Sequence, residues 1–532
     1  MQQKSIALIL LFLLTAFAER LTAQQPPSMN MTKLGTWRDP SLYYNDIWGY
    51  TDCSGREYAL LGSSIAVHFI ELEDPTNPTE VDAIEGGDWV IWRDIKTYRQ
   101  YAYSVCDGCS EGLMVFDLSD LPNSVTKVLQ TDEYFSSAHN IYIDVNSGRL
   151  HVVGANSGDL IFDLTQDPAN PQLLNNLSWA GGYAHDVFVR RDTAYGSHGN
   201  DGLYVHDVSN PQTDVLIGSL TQYPESGYNH ASWLSADGHY LVMADETHDR
   251  GLKLVDVSDL SDMTVTDVFR SALLGPIETA SIPHNPFIRG NLVIVAYYHD
   301  GVQVFDFSDP ENVQQVAWYD TYPDNTNYNG YEGCWGVYPF LPSGLIIGSD
   351  ITYGLFVLEL DESIEVAELP IDIQIAAISP PEISFDGTAL NASVEAASYQ
   401  WYLNGQPIEN ATTSTYLPAE SGNYSLEITN AAGCSAGSEE LQVIIESSAE
   451  AFKTLGISVF PNPVSGQLHL NSQAGEDFHA TLYDSRGIAV RKIALPAGSQ
   501  QDINTSALAE GLYMLLIRDG ENLYSERVVV IH

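Results

Sequence analysis

Four histidines, His139, His185, His230 and His284, each open a short apolar segment: HNIYID, HDVFVR, HASWLS and HNPFIR. Neutral imidazole is a ligand for Zn, Mn and Fe, and three or four such donors at one point make the open shell that metal chemistry uses. Further imidazoles and carboxylates recur one strand later, at His198, at Asp245 with Glu246, at Tyr298 with His299, and at Asp350. The candidate metal set is therefore His139, His185, His230, His284, His198, Asp245, Glu246 and Asp350, with Glu246 the candidate general base. No P-loop or dinucleotide fingerprint points to a different chemistry.

The histidines share a slot because the chain repeats. The segments NDIWGY, RDIKTY, HNIYID, HDVFVR, HASWLS, HNPFIR and CWGVYP begin at Asn45, Arg93, His139, His185, His230, His284 and Cys334, in steps of 48, 46, 46, 45, 54 and 50 residues. Each is followed by a second apolar run and then a third that ends on an acid: Glu71, Asp117, Asp163, Asp207, Asp256, Asp306 and Glu359. Four short strands per copy at this period predict propeller blades, whereas a β-helix needs a much tighter repeat. The fold class is all-β, with a seven-bladed β-propeller over residues 30–365. Each third-strand acid is expected to hold the backbone of the turn that follows it.

In a propeller the first strand of each blade is innermost, so equivalent positions converge on the central channel. The first position reads Asn45, Arg93, the four histidines and Cys334; the second reads Asp46, Asp94, Asn140, Asp186, Ala231, Asn285 and Trp335. Side chains alternate along a strand, so one set should face the channel more directly. Asn45, Asp46, Arg93, Asp94, Asp186, Asn285 and Tyr298 join the metal set as channel candidates. The seventh copy lacks a clear fourth strand, and Met31–Asp39 reads as a strand without a blade. The N-terminal segment is therefore predicted to close the ring by pairing near Leu355 to Leu358, which removes an exposed edge.

The ordered motifs NDIWGY, WRDIK at Trp92, AHNI at Ala138, AHD at Ala184, NHASWL at Asn229, DE at Asp245, HN at His284 and GCWGVYP before Asp350 resemble the LVIVD-repeat propellers called the choice-of-anchor B family. That resemblance implies a surface-anchored propeller and supplies no established reaction.

Residues 369–446 lack the blade motif. Trp401 on a middle strand and Tyr424 near a late one fit an immunoglobulin-like sandwich, read as a spacer. Residues 454–532 read as a small β-sandwich. Phe460-Pro461-Asn462-Pro463, Tyr483-Asp484, Arg486-Gly487, Leu508 and Gly511-Leu512-Tyr513 resemble the type A C-terminal sorting domain of the type IX secretion system. The resemblance implies that the secretion machinery is a partner and that this domain is an address without chemistry of its own.

Lys4 followed by the apolar run Ile6 to Phe17 predicts a signal peptide over residues 1–23, and no other apolar stretch is long enough for a transmembrane anchor. Five cysteines are too few for a disulfide scaffold, and their odd count leaves at least one unpaired within the chain. Cys106 and Cys109, in CDGC, are predicted to bond to each other. With 22 Lys plus Arg against 70 Asp plus Glu, the net charge of −48 opposes nucleic acid and anionic membrane surfaces.

Three functions stay open: an exported binding module for a metal ion, small ligand or glycan; a metal-dependent extracellular hydrolase, lyase or oxygenase using the same cluster; and a structural surface protein. The cofactor would be Zn, Mn or Fe.

Overall fold

Short runs of β-branched and aromatic residues separated by Asp, Asn, Gly and Pro turns form strands with little helix between them. The computed structural model describes residues 28–532 except 156–157, 272–281, 325–327, 368–377, 387–388, 419, 445–448, 485–487 and 520–521. The predicted signal peptide and the Arg486–Gly487 turn lie outside the described residues.

Within residues 1–375 the described strands form seven antiparallel sheets, one per repeat. Blades one to five each take four consecutive strands; in blade four these are Asp186–Arg190, Thr193–Ser197, Leu203–Asp207 and Val215–Leu220. The inner strands are almost wholly buried, while outer strands such as Thr126–Thr131 alternate between exposed and half-buried. That pattern is what a sheet packed between neighbours on its inside and wet on its outer edge requires. Aromatic pairs pack adjacent blades together: Phe69 on Phe116, Phe269 on Phe305 and Tyr319 on Phe356, with ring centroids 5.5, 4.9 and 6.0 Å apart.

Blade seven supplies three strands, Cys334–Tyr338, Ile346–Asp350 and Gly354–Leu360, and the N-terminal strand Met31–Trp37 is its fourth. Met31 pairs with Leu360 and Trp37 with Leu355, so the ring closes as expected from the unplaced segment. Ser28 and Met29 go further and pair with Tyr319 and Trp318 on the outer edge of blade six. One segment thus ties the last two blades together.

Five of the seven third-strand acids hold the turn that follows them, while Glu71 instead pairs with Arg56 at 3.3 Å. Asp117, Asp163, Asp207, Asp256 and Asp306 each accept the backbone N–H two residues on, at 2.7 to 2.9 Å. Cys106 and Cys109 form a disulfide, and Cys334 is a buried free thiol.

Residues 376–532 form a second unit. Its first part packs two small sheets around the fully buried Trp401 and Tyr424. The Tyr424 hydroxyl donates to the Glu420 carbonyl four residues upstream at 2.7 Å, the corner seen in immunoglobulin-like sandwiches. Its second part sets a three-stranded sheet against the four strands Ala489–Leu495, Phe478–Tyr483, Gly511–Asp519 and Asn522–Val530, with Leu468, Leu482, Leu515 and Val528 in the core.

Candidate metal centre

The inner strands of blades three to six, which begin at Asn140, Asp186, Asn229 and Pro286, bring the four histidines at or near their starts into an arc. Ring centroids of His139 and His185 are 3.9 Å apart, those of His185 and His230 4.4 Å, and those of His230 and His284 4.2 Å. Single donor atoms of His139, His185 and His230 lie within 4.8 Å of one another, and so do those of His230, Glu246 and His284. An ion with bonds of about 2.1 Å wants donors roughly 3.4 Å apart, so small ring rotations bring either set onto one centre.

Both ends of the arc are held. His139 Nδ1 lies 2.9 Å from Asp107 Oδ2, and His284 Nδ1 donates to the Trp335 carbonyl at 2.5 Å. A carbonyl only accepts, so His284 carries its proton on Nδ1 and keeps its Nε2 lone pair free, 3.8 Å from Glu246 Oε1. Imidazoles that ligate metals are oriented through the far nitrogen in this way. Burial, followed by the neighbouring imidazoles, holds His185 and His230 well below the ordinary histidine value. Burial lowers His284 to about 3, against the opposing pull of the Trp335 carbonyl. These rings are neutral donors.

Glu246 closes the set. His230 Nε2 lies 4.0 Å from its Oε2, burial raises its carboxyl, and Tyr298 donates to Oε1 at 2.6 Å. Tyr298 sits at φ +33°, a conformation that costs an aromatic residue energy and is held by the Cys334 N–H donating to its carbonyl at 2.8 Å. A cavity of about 570 Å³ stands over this floor, walled by Trp92, Tyr183, Tyr228, Tyr331 and Trp335.

Three of the expected ligands are elsewhere. Asp245 pairs with Asn229 across the strand, so its side chain turns to Lys253 Nζ at 2.6 Å and to the Tyr223 hydroxyl at 2.9 Å. Only the next residue, Glu246, reaches the mouth, because successive side chains point to opposite sides. Asp350 pairs with Cys334 and caps its own turn through the Thr352 and Tyr353 N–H groups, both at 2.9 Å. His198 lies past the end of its strand in the turn to Gly202, and its ring packs near Trp179, Tyr204 and His206. Asn45 is buried with its carboxamide unpartnered, away from the mouth.

The second-position residues line the channel one layer deeper. Asp46, Asp94, Asn140, Asp186 and Asn285 surround a narrow space with Lys96. Lys96 Nζ lies 2.5 Å from Asp94 and 3.6 Å from Asp46. Asp46 accepts the Ile95 N–H at 3.2 Å and Asp94 accepts the Ile141 N–H at 2.6 Å, so each stitches its blade to the next. Burial, reinforced by Asp94, raises Asp186 to about 8. Arg93 is held at 2.5 and 2.9 Å by Glu111 and offers no free charge. Beneath lies an aromatic plug of Trp48, Tyr142, Phe188, Trp233 and Phe287. It occupies the fourth position of the same segments, where the letters W, K, Y, F, W, F and V already show the repeat. Asp107, Trp92, Tyr183, Tyr228 and Tyr331 sit on loops, and the inner-strand repeat carries no signal for them; Trp335 alone of the mouth aromatics holds a repeat position.

A family model described as the LVIVD repeat matches residues 181–222 and 229–269, and one described as a secretion system C-terminal sorting domain matches residues 458–531. No curated protein matches the chain. Similar solved structures include the crystal structure of RRP9 WD40 repeats, at 11% identity and TM-score 0.48, covering 63% of this chain and 99% of that one. Another is the structure of U3-55K, at 10% identity and TM-score 0.47, covering 62% and 98%. Seven antiparallel blades around a channel, the LVIVD matches in blades four and five and the sorting-domain match show an exported β-propeller that carries LVIVD repeats and a type IX secretion C-terminal sorting domain.

Proposed function

We propose that the exported propeller binds a transition metal ion, Zn, Mn or Fe, at its channel mouth. The observation that carries this reading is the arc of four imidazoles with Glu246 against it, tied at both ends through the far ring nitrogens. His139, His185, His230, His284 and Glu246 are the ligand set; Asp107 and Tyr298 orient His139 and Glu246. A purely structural protein has no use for this arrangement, since bringing four imidazoles together, three of them buried, without a cation leaves their lone pairs unused and Nδ1 of His230 unpartnered. Equilibrium dialysis of tag-free protein against zinc, manganese and ferrous iron should show saturable uptake near one equivalent of at least one ion. A His139→Ala, His284→Ala double variant should lose it, and uptake equal in both proteins would refute the site.

The same set could serve a metal-dependent hydrolase, lyase or oxygenase, with Glu246 as general base. What favours this second reading is the large cavity directly over the floor, which would give a substrate access to the ion. In this reading the histidines hold the ion and Glu246 stands beside it, so hydrolysis of a substrate panel that disappears in Glu246→Gln with metal content retained would establish it.

A further inference from the structure

We infer that the mouth takes a neutral carbohydrate, its hydroxyls on the ion and its ring faces on the aromatic walls; the inference rests on the metal reading above. Trp92, Tyr183 and Tyr331 are 42%, 53% and 50% exposed, and with Tyr228 and Trp335 they surround one cavity. Large aromatic side chains left in water at one place mark a ligand groove. The charge of the groove then narrows the ligand. Among the described residues its lining holds no Lys or Arg, so a phosphate, sulfate or carboxylate ligand would have the ion alone to pair with, its charge already offset by Glu246 and Asp107, and no side-chain clamp. An organic ammonium would suit aromatic walls and carboxylates in the absence of metal. With a divalent ion on the floor, however, the charges of Glu246 and Asp107 are balanced and that attraction is gone.

An uncharged molecule with flat apolar faces and clustered hydroxyls meets every remaining group. Its C–H faces stack on Trp92 and Tyr331, its hydroxyls reach the ion, and the Thr247 and tyrosine hydroxyls of the lining exchange hydrogen bonds with it. A cavity of about 570 Å³ has room for a ligand of one or two sugar rings, within the usual range of ligand pockets.

The test is calorimetric titration of zinc-loaded full-length protein with maltose, cellobiose, lactose and N,N′-diacetylchitobiose, alongside choline and glucose 6-phosphate. At least one disaccharide should bind. Trp92→Ala and Tyr331→Ala should each weaken it about tenfold or more with zinc stoichiometry unchanged, and chelation should abolish it. Zinc uptake with no disaccharide bound, or with choline or glucose 6-phosphate bound in preference, overturns this inference and leaves the metal site standing. Failure to take up zinc, manganese or iron overturns the metal reading and this inference with it.

Discussion

The side chains that matter most at the mouth are the ones that fix the histidines in place. Asp107 lies on a loop, its side chain 39% exposed, and its contact with His139 sets which nitrogen faces the cavity. Asp107→Ala is expected to lower metal affinity about 10- to 100-fold while leaving the fold intact, checked by zinc titration with circular dichroism. An unchanged affinity would remove the orienting role. A second titration effect lies away from the site. Burial, with Asp300, Asp350 and Asp324 nearby, raises the Asp320 carboxyl to about 7. The folded protein therefore holds this proton longer than the unfolded chain does. The stability this contributes is fully present below the ordinary value near 3.8 and is lost as pH rises through about 7. Asp320→Asn mimics the protonated form and should match the parent at pH 4 but exceed it by on the order of 1 kcal/mol at pH 8. Denaturation at the two pH values measures this, and a variant less stable than the parent at pH 8 would contradict it. At this scale the sequence showed the four histidines and Glu246, because each holds a repeat position. It could not show Asp107 or Trp92, whose loops differ from blade to blade.

At the scale of the strand, the repeat spacing tells which residues are equivalent but not which side of the pleat each one faces. A one-residue change of register moves a side chain to the opposite face. Of the candidate acids, Asp245 and Asp350 turn into their own blades, and Glu246, next to Asp245, is the one that reaches the histidines. Register shifts in the inner strands of blades one, five and seven, at Tyr44/Ile47, Asn229/Ala231 and Cys334/Gly336, add to the ambiguity. The closing strand was legible because it was a strand with no blade beside a blade with no fourth strand. Its removal exposes the edge Gly354–Leu360 and uncovers the buried Met31 contact. A chain lacking residues 28–37 is expected to unfold at a clearly lower temperature or to aggregate. A melting curve superimposable on that of the parent would show that the ring does not depend on this strand.

For the whole molecule, the chemistry and the address lie in different units. The channel residues all fall within 1–375, and the sorting-domain match covers 458–531. A chain ending at Ser448 should therefore fold and keep its metal but remain in the periplasm. Cell fractionation with antibody detection checks this, and normal appearance of the truncated protein outside the cell would refute the address. The central claim is that the four-histidine mouth holds a metal ion. Its most direct test is elemental analysis of the intact exported protein, purified without a histidine tag, beside a His185→Ala, His230→Ala double variant. The account predicts close to one equivalent of Zn, Mn or Fe in the parent and almost none in the variant; the same negligible content in both would contradict it.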